Sequence, residues 1–234
     1  MGAAQGVAPA LRVVTYEEAG WRLAFIAATS KLNMGLEPGP PFVPFVETKE
    51  LRKALAGPDG PIAQARKDHD LVIVSLHWGE EYTDPPSPRQ RRAARALIDA
   101  GADVVFGHHP HVLQGIESYQ GGIIAYSMGN FLFENASPIP KLTGVLGVIF
   151  EDASTEGGRP CLVESTFFPA VMRRKPYHHP APAKGLNYRK VTERMIGLSQ
   201  ELRTRWVPKG EGDVLELQFE PRCRELTPSQ REAP

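Results

Sequence analysis

"LVIVSLHWGEEYTDPPSPRQRRAARALIDAGADVVFGHHPHV", residues 71–112, decides the fold. "LVIVSL" (71–76) is apolar and rich in β-branched side chains, the composition of a strand buried on both faces. Ser87, Pro88 and Gln90 then form a capping box with proline at the first helical position. Leu97 and the small residues Ala93, Ala94, Ala96 and Ala100 carry that helix to Gly101, which stands where a C′ residue belongs. "ADVVF" (102–106) reads as the next strand. Strand, helix, strand with short connections is a βαβ unit, so the two strands run parallel.

Ligands of open parallel sheets bind outside the carboxyl ends of the strands. His77 directly follows the first strand, and His108, His109 and His111 follow the second. One sheet rim therefore collects these histidines. In extended chain, residues i and i+2 face the same way. Pro110 biases His109 toward an extended backbone. The expectation is that His109 and His111 point together and His108 points away. Three neutral imidazoles are a known ligand set for catalytic zinc, and with carboxylates they also suit manganese or iron. The expected divalent-metal ligands are His77, His109 and His111. Glu80 and Glu81 nearby are placed to complete a shell, to orient an imidazole or to face solvent. Trp78 either packs on the rim or meets substrate. Asn130, in "SMGNF" (127–131), either binds a ligand or caps a turn. Trp78, Glu81 and Asn130 are thus the expected substrate contacts. Against this stands the ordinary reading of each histidine alone, a solvated polar residue. His69, at a helix end, reads as structural, and His178-His179, in a proline-rich stretch, as surface.

Elsewhere "WRLAFIAA" (21–28) reads as a buried strand and "LEPGPPFVPF" (36–45) as a loop. "ETKELRKAL" (47–55) and "IAQARKDHD" (62–70) read as short helices separated by "GPDGP" (57–61). A hairpin turns at Gln120-Gly121-Gly122. "GVLGVIF" (144–150) and "CLVESTFF" (161–168) read as antiparallel strands. "RRKPYHHPAPAKG" (173–185) reads as a loop, "YRKVTERMIGLSQELRTRW" (188–206) as a surface helix and "DVLELQF" (213–219) as a last strand. The tail from Pro221 reads as disordered.

Lys plus Arg and Asp plus Glu balance at 27 each, so no global field pulls the chain toward nucleic acid or an anionic membrane. Ligand preference must come from a local site. No stretch approaches the length of an apolar membrane span, and the opening residues carry no signal-peptide pattern. Cys161 and Cys223 have no metal-knuckle spacing and fit a disulfide or free thiols equally. No Gly-x-Ser-x-Gly elbow occurs.

"VIVSLHWGEEY", "AARALIDAGADVVFGHHPHVLQGIE", "GGIIAYSMGNFLF" and the upstream "WRLAFIAA" together resemble the CapA-type poly-γ-glutamate capsule synthesis proteins. That family belongs to the calcineurin-like metallophosphoesterase superfamily, and the resemblance covers roughly residues 15–170. It implies an α/β fold, a four-layer β-sandwich flanked by helices, with a two-metal centre. By resemblance His77 matches the histidine after the central strand, and His109 and His111 the terminal His-x-His. It also implies a capsule or cell-envelope role, a phosphoesterase-like hydrolase activity and an anionic polymer or phosphoester substrate. The chain departs from the family in lacking an early Gly-Asp and an Asn-His segment. The expectation is therefore an amino-terminally truncated domain, with residues 1–14 as an irregular leader, 15–220 as the CapA-like domain and 221–234 as a tail. The competing expectation is a non-catalytic relic or metal-binding module of the same fold.

Overall fold

The strand Leu71–His77 (β3) lies at the centre of a 6-stranded sheet, as its unbroken apolar run requires. The computed structural model describes residues 11–32, 44–133, 141–152, 159–210 and 213–219. In chain order the other elements of this half are β1 (Val13–Glu18), β2 (Trp21–Thr29), α1 (Leu51–Ala56), α2 (Pro61–Ala65), α3 (Pro88–Asp99), β4 (Val104–His108), β5 (Ile116–Tyr119) and β6 (Gly122–Ala125). The sheet order is β1-β2-β3-β4-β6-β5. β2, β3, β4 and β6 are parallel neighbours, and antiparallel β1 and β5 close the two edges.

The sequence logic of α3 is visible in its ends. Ser87 Oγ accepts from the Gln90 backbone, Gln90 Oε1 accepts from the Ser87 backbone, and Gly101 takes a positive φ of 117° after the last turn. The hairpin turns on Gln120 and Gly121, both at positive φ, with Tyr119 paired to Gly122. This is the two-residue geometry whose twist suits a hairpin.

A second, 5-stranded antiparallel sheet is built from β7 (Leu142–Glu151), β8 (Cys161–Arg173), β9 (His179–Pro182), β10 (Arg205–Lys209) and β11 (Val214–Gln218). Two apolar cores result. One joins α1, α2 and α3 to one face of the first sheet, through Leu51, Leu55, Ile62, Ala94 and Leu97 against Ile26, Val72, Val74 and Val105. The other joins the opposite face to the second sheet, through Ile116, Ile123 and Ala125 against Leu162, Phe167 and Leu217. α4 (Leu186–Gln200) places Val191 and Met195 in this second core. The Ser199 hydroxyl accepts from the Ile116 backbone, so α4 bridges the two sheets. The layers are helices, sheet and sheet, with α4 tied to both sheets.

Several expectations change. Val13 and Val14 belong to β1, not to an irregular leader. The segment 173–185 contains β9, an edge strand whose prolines lie where the ladder needs few donors. The helix expected over 188–206 stops at Gln200, and Arg205 and Trp206 begin β10. β4 runs to His108, so His77 and His108 are the last residues of their strands and lie opposite each other in register. Most of the 36–45 loop and the tail from Pro221 fall outside the described residues.

Candidate metal centre

The carboxyl ends of β2, β3 and β4 are stitched into one rim. Thr29 pairs with His77, the Ser30 amide donates to the His77 carbonyl, and the Trp78 amide donates to the His108 carbonyl. The loop after β3 crosses the loop after β4 and is pinned there. The Tyr82 amide donates to the Pro110 carbonyl at 2.8 Å, and Gln114 Nε2 donates to the Thr83 carbonyl at 2.7 Å. Arg194 on α4 closes the loop from below with two bonds to Asp84 and one to the Leu113 carbonyl.

Trp78 explains why the two motifs "HWG" and "GHH" occur together. Its side chain is fully buried, stacks on Tyr126 and donates Nε1–H to the Tyr126 carbonyl at 3.2 Å. Trp78 is therefore a wall of the rim, with no face turned to solvent. Gly107 leaves the space for it. A Cβ at Gly107 would lie 2.0 Å from the Tyr126 carbonyl oxygen and 2.5 Å from Trp78 Nε1. The Gly107→Ala variant should lose about 3 kcal/mol or more of stability, the upper range for forced overpacking. A urea titration matching wild type within about 0.5 kcal/mol would refute this packing.

Glu81, His109 and His111 each offer one ligand atom, and these atoms all lie within 4.8 Å of one another. His77 stands beside this trio, its ring centroid 4.7 Å from that of His109. The expected convergence of His109 and His111 is present, but its cause is different. Both residues have positive φ, 97° and 59°, so the chain is not extended here. A left-handed turn across Pro110, rather than strand alternation, brings the two imidazoles together. Such backbone in non-glycine residues is uncommon and gathers at functional sites. Alternation does govern His108, which is still in β4. Its Nε2 meets Ser75 Oγ at 3.1 Å and its ring lies edge-on to Phe106.

Hydrogen bonds to the imidazoles set which ring nitrogens can face a metal. Asn130 Oδ1 lies 2.6 Å from His111 Nδ1, an acceptor that holds the proton on Nδ1 and leaves Nε2 with its lone pair. Tyr82 stacks near His111 on one side and Phe133 approaches on another, at centroid distances of 6.1 and 4.8 Å. His109 Nδ1 is buried and, among the described residues, has no hydrogen-bond partner. A buried imidazole nitrogen without a partner is costly unless something else takes its lone pair. Asn130 thus acts on His111, and Glu81, expected as a substrate contact, falls among the candidate ligands. Glu80 instead pairs with Lys31 at 2.6 Å. His69 is structural as expected, its ring nitrogens bonded to the Ala65 carbonyl and to Thr15 Oγ1. His179, read as surface, lies in β9 of the other sheet.

Burial holds His77, His108 and His109 below the ordinary imidazole value of 6.5, and neighbouring imidazoles push in the same direction. Glu81 opposes the shift at His109 without reversing it. The neutral form, the one that binds metal, is therefore favoured. The unfolded chain takes up these protons near pH 6.5, before the folded chain does. Stability should be fully present above about pH 6.5 and fall as pH drops below it. Melting temperatures across pH 5–8 in chelator should show that decline and show less of it in His108→Gln. A flat profile would contradict the buried, neutral assignment.

This constellation defines an α/β protein of two sheets with a histidine-rich rim at the carboxyl ends of parallel strands. The family model for bacterial capsule synthesis protein PGA_cap matches residues 1–135, and the chain belongs to that family. The match takes in β1 to β6 with His77, Trp78, Glu81, His108, His109, His111 and Asn130. The PGA biosynthesis protein CapA of Bacillus subtilis (strain 168) is 56% identical over 73 residues, covering 31% of this chain and 19% of that protein. The capsule biosynthesis protein CapA of Bacillus anthracis is 50% identical over 97 residues, covering 38% of this chain and 24% of that protein. The matched segments thus span a quarter or less of those relatives. A hypothetical protein from Thermus thermophilus aligns over 72% of this chain and 60% of its own, with 14% identity and a TM-score of 0.32.

Proposed function

We propose that this chain is a divalent-metal domain serving capsule polymer synthesis, with poly-γ-glutamate as the polymer concerned and a metallophosphoesterase-type sandwich as its frame. The convergence of Glu81, His109 and His111, with Asn130 fixing the His111 tautomer, carries this reading. The two face-to-face sheets, with helices outside the first, support the sandwich, and the family supports the polymer. In this reading His109, His111 and Glu81 hold the ion, with His77 beside them. Manganese, zinc and iron all suit two imidazoles and a carboxylate. A bound ion there supplies Lewis acidity toward a substrate oxyanion. The protein's own part is to keep the imidazoles neutral by burial and to keep His111 oriented through Asn130. Removing the hydrogen bond to His111 in Asn130→Ala should weaken metal affinity by about 10–100-fold. An unchanged affinity by calorimetry would remove Asn130 from the site.

A non-catalytic metal-binding module is the second reading. One observation favours it: among the described residues the group contains one carboxylate, where a two-ion phosphoesterase needs a bridge between its ions. Hydrolysis of bis(p-nitrophenyl) phosphate with manganese or zinc separates the two. The enzyme reading predicts weak turnover that vanishes in His109→Ala. Metal bound at full occupancy with no turnover selects the module. Turnover that survives His109→Ala contradicts this site in both readings.

A further inference from the structure

A second polar feature lies outside the histidine rim. α1 and α3 border a cleft of about 550 Å³ lined by Thr48, Lys49, Arg52, Arg89, Arg92 and Ala93. Glu47 pairs with Lys49 at 2.7 Å and so neutralises one of the cations. Arg52, Arg89 and Arg92 are exposed, and among the described residues none of them has a carboxylate within salt-bridge distance. In a chain whose charges balance overall, three arginines without acidic partners among the described residues make a local positive field that attracts anions. Arg89 and Arg92 stand three residues apart on α3, one above the other on the same face. The cleft also sits at the carboxyl end of the sheet. Thr48 Oγ1 bonds Ser30 Oγ at 3.2 Å, and the Ser30 amide bonds the His77 carbonyl at 2.8 Å. Gly79, just after His77, packs against Gln90 of α3.

We infer that this cleft binds an extended polycarboxylate chain. Guanidinium forks match planar carboxylates and phosphates two bonds at a time, and several along one cleft suit an anion that repeats; the choice of carboxylate rests on the proposed function. The lining has no aromatic platform among the described residues, which argues against single-stranded nucleic acid. The inference shares the polymer of the proposed function but not its metal, so the two fail separately.

Fluorescein-labelled poly-L-glutamate, followed by anisotropy with the full chain at low salt, is the test. Binding should weaken at least about tenfold in Arg52→Gln/Arg89→Gln/Arg92→Gln, and further in the corresponding glutamate triple. It should persist in chelator and in His109→Ala. All three arginines are exposed, so the variants should fold, which circular dichroism checks. Equal affinity of wild type and the glutamine triple overturns the inference. So does tighter binding of oligothymidylate or inorganic polyphosphate of the same charge, which would assign the cleft to a phosphate polymer. Loss of binding in chelator with the arginines intact overturns it too, because the anion would then sit on the metal.

Discussion

Replacing Asp103 with alanine should cost about 3–5 kcal/mol of unfolding free energy, enough to unfold a marginal domain. Asp103 lies at the opposite end of β4 from the histidines and is almost wholly buried. One carboxylate oxygen pairs with the Arg66 guanidinium and accepts from the Val72 amide at 2.7 Å. The other accepts from Arg159 at 2.8 Å. Arg66 and Arg159 side chains are 3% and 10% exposed, so alanine at 103 strands two cations away from water. Burial already pushes Arg159 down to about 10. The pairing also joins α2, β3, β4 and the segment before β8. An exposed pair gives the contrast. Arg22 and Glu17 are 42% and 72% exposed, and Glu17→Ala should change stability by less than about 1 kcal/mol. Similar urea midpoints for Asp103→Ala and Glu17→Ala would show that the buried cluster does not hold the fold.

Much of the frame was legible because local signals agreed with the tertiary result. The apolar run 71–76, the Ser87–Gln90 box and Gly101 all named the βαβ unit, and the unit alone puts His77 and the His108–His111 stretch on one rim. Elements with weak local signals were not legible. β1 is an exposed edge strand with acidic and polar residues, so it shows no buried run. β9 and β10 contain prolines and take their stability from neighbours. The site was half legible. Periodicity suggested that His109 and His111 converge, yet the positive φ of both residues is a tertiary demand that no alternation rule contains. Glu81 reaches the pair because the Tyr82 amide is tied to Pro110, a contact across 28 residues of chain that sequence does not announce. The Arg66–Asp103–Arg159 cluster is equally silent in sequence, since its members look like ordinary surface charges.

The second large effect concerns the metal. The His109→Ala/His111→Ala variant should lose divalent-ion affinity by at least about a hundredfold, more than loss of the Asn130 hydrogen bond costs. Both substitutions remove imidazoles whose ligand atoms lie within 4.8 Å of each other and of Glu81, and the remaining His77 and Glu81 offer no comparable set. His108→Ala should change affinity little, because Ser75 and Phe106 already engage that ring on the face between the sheets.

Metal content after exhaustive dialysis, read by elemental analysis on wild type, His109→Ala/His111→Ala and His108→Ala, tests the proposed centre most directly. The expected result is about one divalent ion per chain in wild type and His108→Ala and almost none in the double variant. Equal content in all three proteins would contradict the metal centre at His109, His111 and Glu81.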